Sequence, residues 1–389
     1  MKQGDVIAGY RVISEPTNAN GGKCMWAFAE KGGQEFFLKR FLEPKRPREG
    51  STASAASRRI RMEVCKEFED RHRAIMRQLR PDTPGGGNLV LATDFFHEGS
   101  TYYKVTERID TSSIDKPQAL EPRQKAVLLK TLGLSLQLLH NIDVVHGDLK
   151  PLNVLVQKRD GAAFHTAKLI DFDDSYLSGR PPGRQDIAGD SLYGAPEWRR
   201  YVQEDEAVQA EHLTTAVDIF ALGLMTHYYV TGAAPGYADR YGSPADAVNA
   251  GEDLAIDPRL SDSLRGLIRA MTARSPGRRP RIATYLGTLK DHQVCALQHR
   301  RPGTVKPKPA ASRAAESAGT TSGGAEGDAS APRTSRVRGA NLKGTGTPRT
   351  TASPPPSDPP AAPAPSEEPK PAAPRTSRVR INLGTRRKP

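Results

Sequence analysis

The chain holds three cysteines in 389 residues, two tryptophans and an aromatic fraction of only 6%. Cys24, Cys65 and Cys295 are scattered, odd in number and without metal-ligand spacing. That excludes a disulfide framework or a zinc module and leaves reduced structural thiols. No apolar run approaches the roughly 18 residues needed to cross a bilayer, and Met1 to Arg11 lacks the apolar centre of a secretion signal. A soluble, cytoplasmic protein with no membrane span is expected. Hydrophobic residues make up 37% of the chain and aromatic ones 6%, low for a compact globular chain, so part of it is expected not to fold.

Charge is unevenly placed. Residues 301–389 carry 16 Lys and Arg against 6 Asp and Glu, a net of +10, which leaves +3 for the first 300 residues. The pI near 9.7 is therefore a property of the C-terminal stretch. The remainder is near neutral and shows no zinc or helix-turn-helix pattern, so nucleic-acid binding is not the expected function.

From Gly9 to Phe41 the runs YRVI, KCMWAFA and EFFLKRF predict three antiparallel strands. Their first connection, Glu15 to Gly22, is rich in residues that tolerate unusual backbone angles, as a loop folding over phosphates requires. Lys39 follows the apolar Phe36, Phe37 and Leu38, and a lysine so placed needs an anion, whether carboxylate or phosphate. After a polar insertion from Pro44 to Ser57 a helix is predicted, with Cys65, Phe68, Glu69, His72, Ile75, Met76 and Leu79 on one face. Two further strands are predicted over residues 88–96 and 102–109. Helical spacing then recurs at 124–141, 216–231 and 261–273, with a short strand at 167–172.

Strand-rich then helix-rich halves predict a two-lobed α+β fold: a small β-rich lobe over residues 1–109 and a larger helical lobe over 110–300. Beyond about residue 300 periodicity stops, and Pro, Ala, Ser, Thr, Gly and Arg predominate. Too little apolar surface remains there to offset chain entropy, which predicts a disordered basic tail over 301–389. Within it RTSRVR occurs twice, from Arg333 and from Arg375, so that Thr334, Ser335, Thr376 and Ser377 are flanked by arginines. Phosphate on those hydroxyls would reverse the local charge, and autophosphorylation or an acidic or phosphopeptide-reading partner is expected there.

The chemistry concentrates in Val144 to Val156, VVHGDLKPLNVLV. Phosphoryl transfer needs an orienter or base for the attacking hydroxyl, a cation on the transferring phosphate and oxygen ligands for magnesium. Asp148 is placed to accept the substrate proton, Lys150 to balance the γ-phosphate, and Asn153 with Asp171 to supply hard oxygen ligands for the metal.

HGDLKPLN, LIDFDD and Tyr193 to Glu197 (YGAPE) resemble the catalytic loop, the DFG region and the APE motif of the protein kinase superfamily, in family order. Ala216 to Gly223 is similar to its central helix, whose Asp218 would tie down the catalytic loop, and Arg279 to its late arginine, the partner of Glu197. The resemblance spans about residues 5 to 292. It implies ATP and Mg2+ as cofactors, protein substrates, Lys39 on the α and β phosphates, and Thr106, Glu107 and Ile109 in the gatekeeper and hinge that meet adenine. By the same comparison the glycine loop is eroded to Thr17, Ala19 and Gly22. The residue at the usual helix-glutamate position is His72, which leaves two readings: Glu69, one turn earlier, pairs with Lys39 through a shifted helix, which is the one expected, or that ion pair is missing.

Gly147 stands where many relatives carry an arginine that binds a phosphorylated activation loop, which implies a non-RD enzyme independent of such phosphorylation. Asp173 replaces the DFG glycine, and Asp190 the threonine before the APE motif. The function expected is transfer of the γ-phosphate of ATP to protein Ser or Thr hydroxyls. Two other readings stay open: a pseudokinase scaffold that presents the tail, and a small-molecule phosphotransferase of the aminoglycoside or choline kinase kind.

Overall fold

Residues 24–41 form the hairpin on which the first half of the chain is built. The computed structural model describes residues 1–298 apart from 20, 21, 23, 49–52, 80–85, 112–115, 159, 160 and 162. The expected tail and its two repeats lie outside the described residues. Short strands β1 (Val6–Ile7) and β2 (Tyr10–Val12) precede β3 (Cys24–Lys31) and β4 (Gln34–Phe41). Gly32 and Gly33 make the two-residue turn between β3 and β4, with φ of 62° and 77°. A hairpin turn that matches strand twist needs positive φ at both positions, and glycine adopts it without a Cβ clash.

Helix α1 (Ala55–Gln78) follows, capped by Ser54, whose Oγ accepts from Ser57 N at 3.2 Å. Strands β5 (Ala92–Glu98) and β6 (Thr101–Glu107) complete an antiparallel sheet of order β1-β2-β3-β4-β6-β5. The sheet thus has one strand more than the sequence pattern predicts, because Val6–Ile7 is only two residues long and has no alternation to detect. Asn88 falls in a helical turn rather than a strand. The pairing of β4 with β6 sets Lys39 directly opposite Lys104. Cys65, Phe68, His72 and Ile75 are the buried face of α1, at spacings of three and four. That face meets aromatic rings of the sheet: Phe68 lies 5.0 Å from Phe41 and 5.1 Å from Tyr102 between centroids.

The second half is helical. Helix α2 (Pro122–Asn141) leads into β7 (Val144–Val145), then β8 (Val154–Gln157), β9 (Thr166–Leu169) and β10 (Tyr176–Leu177). β7 pairs with β10 and β8 with β9. Helices α3 (Pro196–Val202), α4 (Ala216–Thr231), α5 (Pro244–Asn249), α6 (Asp262–Met271) and α7 (Ile282–Thr288) complete the described chain. α4 is apolar nearly all round and is buried on every side. It packs with α2, α6 and α7 in a core that includes Leu129, Leu132, Leu136, Leu139, Leu222 and Ile268. Each of these side chains, taken out of water, contributes about 1.5–3 kcal/mol. Among the described residues no helix is long and apolar enough to cross a membrane.

Candidate active site

The short strands β7 and β8 bracket His146 to Asn153, so this polar loop is held at both ends by backbone pairing. Its N-terminal half is fixed from below by Asp218 of α4, which is 1% exposed. The Asp218 carboxylate accepts from His146 N at 2.8 Å, from Gly147 N at 3.1 Å and from the His140 ring at 3.0 Å. A carboxylate satisfied by that many donors is a rigid anchor for the backbone it touches. The His146 ring in turn meets the Ile170 carbonyl at 3.0 Å, joining the loop to the segment that carries Asp171.

Gly147 has φ of +82°. A Cβ there would lie 2.5 Å from the Asp174 carbonyl oxygen and 3.2 Å from the Tyr176 ring. Glycine is therefore demanded twice at this position, by the left-handed backbone and by the close approach.

Asp148, Lys150 and Asn153 are brought together. The Asn153 amide donates to the Asp148 carbonyl at 2.8 Å and to Asp148 Oδ2 at 2.9 Å, while Lys150 Nζ lies 2.7 Å from Oδ2. The other carboxylate oxygen, Asp148 Oδ1, is buried and has no hydrogen-bond partner among the described residues. Burial raises the Asp148 carboxyl above its ordinary value, with Lys150 opposing that rise. Lys150 also lies 3.7 Å from Asp190, whose other oxygen caps the next turn by accepting from Leu192 N at 2.8 Å. Asp174, close to these groups, is pushed up to about 7 by burial and by Asp148, Asp171 and Asp173.

Asp171 adopts φ of +65° just beyond β9. Both of its carboxylate oxygens accept from Lys39 Nζ, at 2.8 and 2.9 Å. The expected pairing of Lys39 with Glu69 does not occur. Glu69 faces Arg46, which belongs to the polar insertion, and also accepts from the Tyr102 hydroxyl at 2.7 Å and pairs with Arg73 at 3.3 Å. Arg46 is held for that contact by its own N–H on the Ser100 carbonyl, at 2.9 Å. The insertion thus supplies a cation that takes up the glutamate.

Lys39 finds its second carboxylate in Asp173, at 2.5 Å. Lys104 reaches the other oxygen of Asp173 at 2.6 Å, and the His72 ring stands 3.7 Å away. Only 12% of the Asp173 side chain is exposed. Burial works against its charge, but Lys104 and Lys39 outweigh that and hold its carboxyl well below the ordinary range. Burial likewise opposes the Lys39 ammonium, which Asp173 and Asp171 keep well above its usual value. His72 is pushed down by burial. Lys104 was not singled out from sequence. Its signal is a lysine inside the strand run YYKVTE, and only the register of β4 against β6 reveals that it faces Lys39.

The remaining expected site residues lie around this centre. Thr106 is half-buried opposite Phe37, Glu107 is exposed at the end of β6, and Ile109 is half-buried just beyond. Gly22 is exposed with φ of +55°, in a connection whose neighbours 20, 21 and 23 lie outside the described residues. That connection is tethered at Ala19, whose carbonyl accepts from the Trp26 indole at 2.9 Å. Farther down, Arg279 and Glu197 form a buried two-point ion pair at 2.6 and 2.7 Å, and Arg279 also donates to the Ala216 and Ala273 carbonyls.

Asp148 with Asn153 and Lys150 on one of its oxygens and the other oxygen without a partner among the described residues, together with Asp171 on Lys39, suits phosphate chemistry. Comparison with known proteins agrees. The chain is 28% identical over 245 residues to calcium-dependent protein kinase 7 of Oryza sativa subsp. japonica, a match covering 60% of this chain and 40% of that protein. It is 31% identical over 182 residues to calcium-dependent protein kinase 26 of Arabidopsis thaliana, covering 46% and 32%. To mitogen-activated protein kinase kinase 5 of Leishmania mexicana it is 29% identical over 233 residues, covering 55% and 42%. The chain thus spans about a third to two-fifths of the length of these relatives. The protein kinase domain profile matches residues 48–289, more than half of the chain and starting after Lys39. With the APE-type glutamate on its arginine and the loop anchored by Asp218, the chain belongs to the protein kinase superfamily.

Proposed function

We propose that this protein transfers the γ-phosphate of ATP to Ser or Thr hydroxyls of proteins, itself included. The buried, unpartnered Asp148 Oδ1 carries the reading. A carboxylate oxygen out of water and without a donor is costly unless the working state supplies one, and a substrate hydroxyl is such a donor. In the transfer the hydroxyl oxygen attacks the γ-phosphorus, the bond from that phosphorus to the leaving ADP oxygen breaks, and the hydroxyl proton passes to Asp148. Lys150, already against Asp148, balances charge on the moving phosphoryl group. Lys39 holds the α and β phosphates, Gly22 lies over the nucleotide, and Thr106, Glu107 and Ile109 meet adenine.

The donor set fits a magnesium ion. Asn153 commits its amide hydrogens to Asp148, which leaves its oxygen for a cation, and Asp171 offers a second hard oxygen. Bound there, magnesium would neutralise and orient the phosphates. Gly147, with no side chain to reach a phosphorylated segment, supports the non-RD reading.

Incorporation of labelled phosphate from ATP into a generic protein substrate and into the chain itself is the test. Asp148→Asn and Asp171→Ala are each expected to lower the rate by about three powers of ten or more, with folding preserved. Wild-type incorporation no higher than that of Asp148→Asn would refute the enzyme reading and leave a nucleotide-binding scaffold. That alternative is favoured by one observation, the absence of an α1 carboxylate on Lys39. Phosphosite mapping at Thr334, Ser335, Thr376 and Ser377 decides whether the repeats are substrates.

A further inference from the structure

We propose that Asp173 is the positioning residue that holds Lys39 for the nucleotide, taking the part the resemblance assigned to a glutamate of α1, with Lys104 as its second anchor. The inference rests on the reading that Lys39 meets ATP phosphates.

Four observations converge on it. The Asp173 carboxylate bridges the two lysines, with one oxygen 2.5 Å from Lys39 and the other 2.6 Å from Lys104. Those lysines are directly opposed across β4 and β6, where like charges repel unless an anion lies between them. The α1 face that points here presents His72, 3% exposed, its Nε2 without a hydrogen bond and 3.7 Å from Asp173. Glu69, the one acidic residue on that face, is turned to Arg46, Tyr102 and Arg73.

A sequence with an aspartate in place of the DFG glycine and a histidine in place of the helix glutamate has thus moved the carboxylate from one element to another. Charge balances after the move: Lys39 and Lys104 face Asp171 and Asp173. The consequence is mechanical. With its carboxylate on α1, Lys39 would be positioned only when that helix is docked. On the segment after β9, the lysine's partner sits two residues from Asp171 and moves with it. Lys39 then stays positioned independently of where α1 lies.

The experiment compares Asp173→Asn, Glu69→Gln and the double variant His72→Glu/Asp173→Gly with wild type. It reads KM for ATP, kcat and melting temperature, together with the Lys39 ammonium resonance in nucleotide-free protein by NMR. Asp173→Asn is expected to raise KM for ATP by about ten- to a hundredfold, the worth of one charge-assisted hydrogen bond. A glutamate at position 72 reaches about as far as the imidazole Nε2 that already stands beside Asp173, so the double variant is expected to recover most of that loss. A residue with a purely structural role would lower the melting temperature and show no such recovery. If Glu69→Gln produces the rise in KM and Asp173→Asn changes it less than about twofold, the proposal is wrong. If the wild type proves inactive, the function proposed above fails, and the resonance still decides the inference. A Lys39 signal displaced by Asp173→Asn supports it, and one displaced only by Glu69→Gln overturns it.

Discussion

Replacing Gly147 by alanine adds one methyl group to the catalytic loop, and it is expected to disable the protein more than most truncations nearby. The backbone there has φ of +82°, a left-handed conformation that costs an L-residue about 1–2 kcal/mol. The new carbon would sit 2.5 Å from the Asp174 carbonyl oxygen, an overlap whose relief costs about 1–2 kcal/mol more. Asp174 cannot retreat freely. It is flanked by Asp173, held on two lysines, and by Ser175, whose hydroxyl donates to the His146 carbonyl at 3.0 Å. Strain of about 2–4 kcal/mol therefore appears as displacement of the loop or of the Asp171 segment, and corresponds to a thirty- to thousandfold loss in kcat/KM. Steady-state kinetics with a generic protein substrate, alongside thermal melting, measures it. Gly147→Arg, which restores the residue common in relatives, is expected to lose at least as much. Activity of Gly147→Ala within threefold of wild type, at an unchanged melting temperature, would refute the steric reasoning, as would any gain in Gly147→Arg.

Three further outcomes are expected. Arg279→Met leaves the Glu197 carboxylate buried and unpaired, which lowers stability by about 3–5 kcal/mol; denaturant unfolding should show part of that loss recovered in Glu197→Leu/Arg279→Met. Asp218→Asn replaces an acceptor that serves His146 N, Gly147 N and the His140 ring by a group with one acceptor oxygen, and is expected to cut kcat at least tenfold, by loosening the loop by about 1.5 kcal/mol or more, while KM for ATP changes little. His227 accepts from Asp257 N at 2.9 Å through its Nε2, and burial holds its ring below the ordinary 6.5. The stability contributed by the neutral ring is complete above that value and is lost as pH falls through the lower folded value, so His227→Gln should flatten the acid side of the melting curve by up to about 1.4 kcal/mol per pH unit.

Much of the molecule was legible before its structure. The helix over 216–231 has the bounds that its apolar run predicts, and the strands of the β3–β4 hairpin follow from alternation and a Gly-Gly turn. His146, Asp148, Lys150 and Asn153 were visible as a site because a loop between two short strands keeps its residues together whatever the rest of the fold does. Asp218 and Glu197 with Arg279 were visible through the kinase resemblance, and both contacts are present.

The partner of Lys39 was not visible. Glu69 and His72 share a helix face by spacing, and spacing alone favoured the glutamate as the counter-ion. Three tertiary facts decide otherwise: Arg46 of the insertion reaches back to Glu69, the β4–β6 register sets Lys104 against Lys39, and the turn after β9 brings Asp173 between them. Local sequence determined which residues could carry charge into the site and which elements hold them. Which carboxylate meets which lysine depends on contacts between residues far apart in sequence, 69 positions for Lys104 with Asp173 and 134 for Lys39 with Asp173, where desolvation and Coulomb attraction select the pairing and helical periodicity has no bearing.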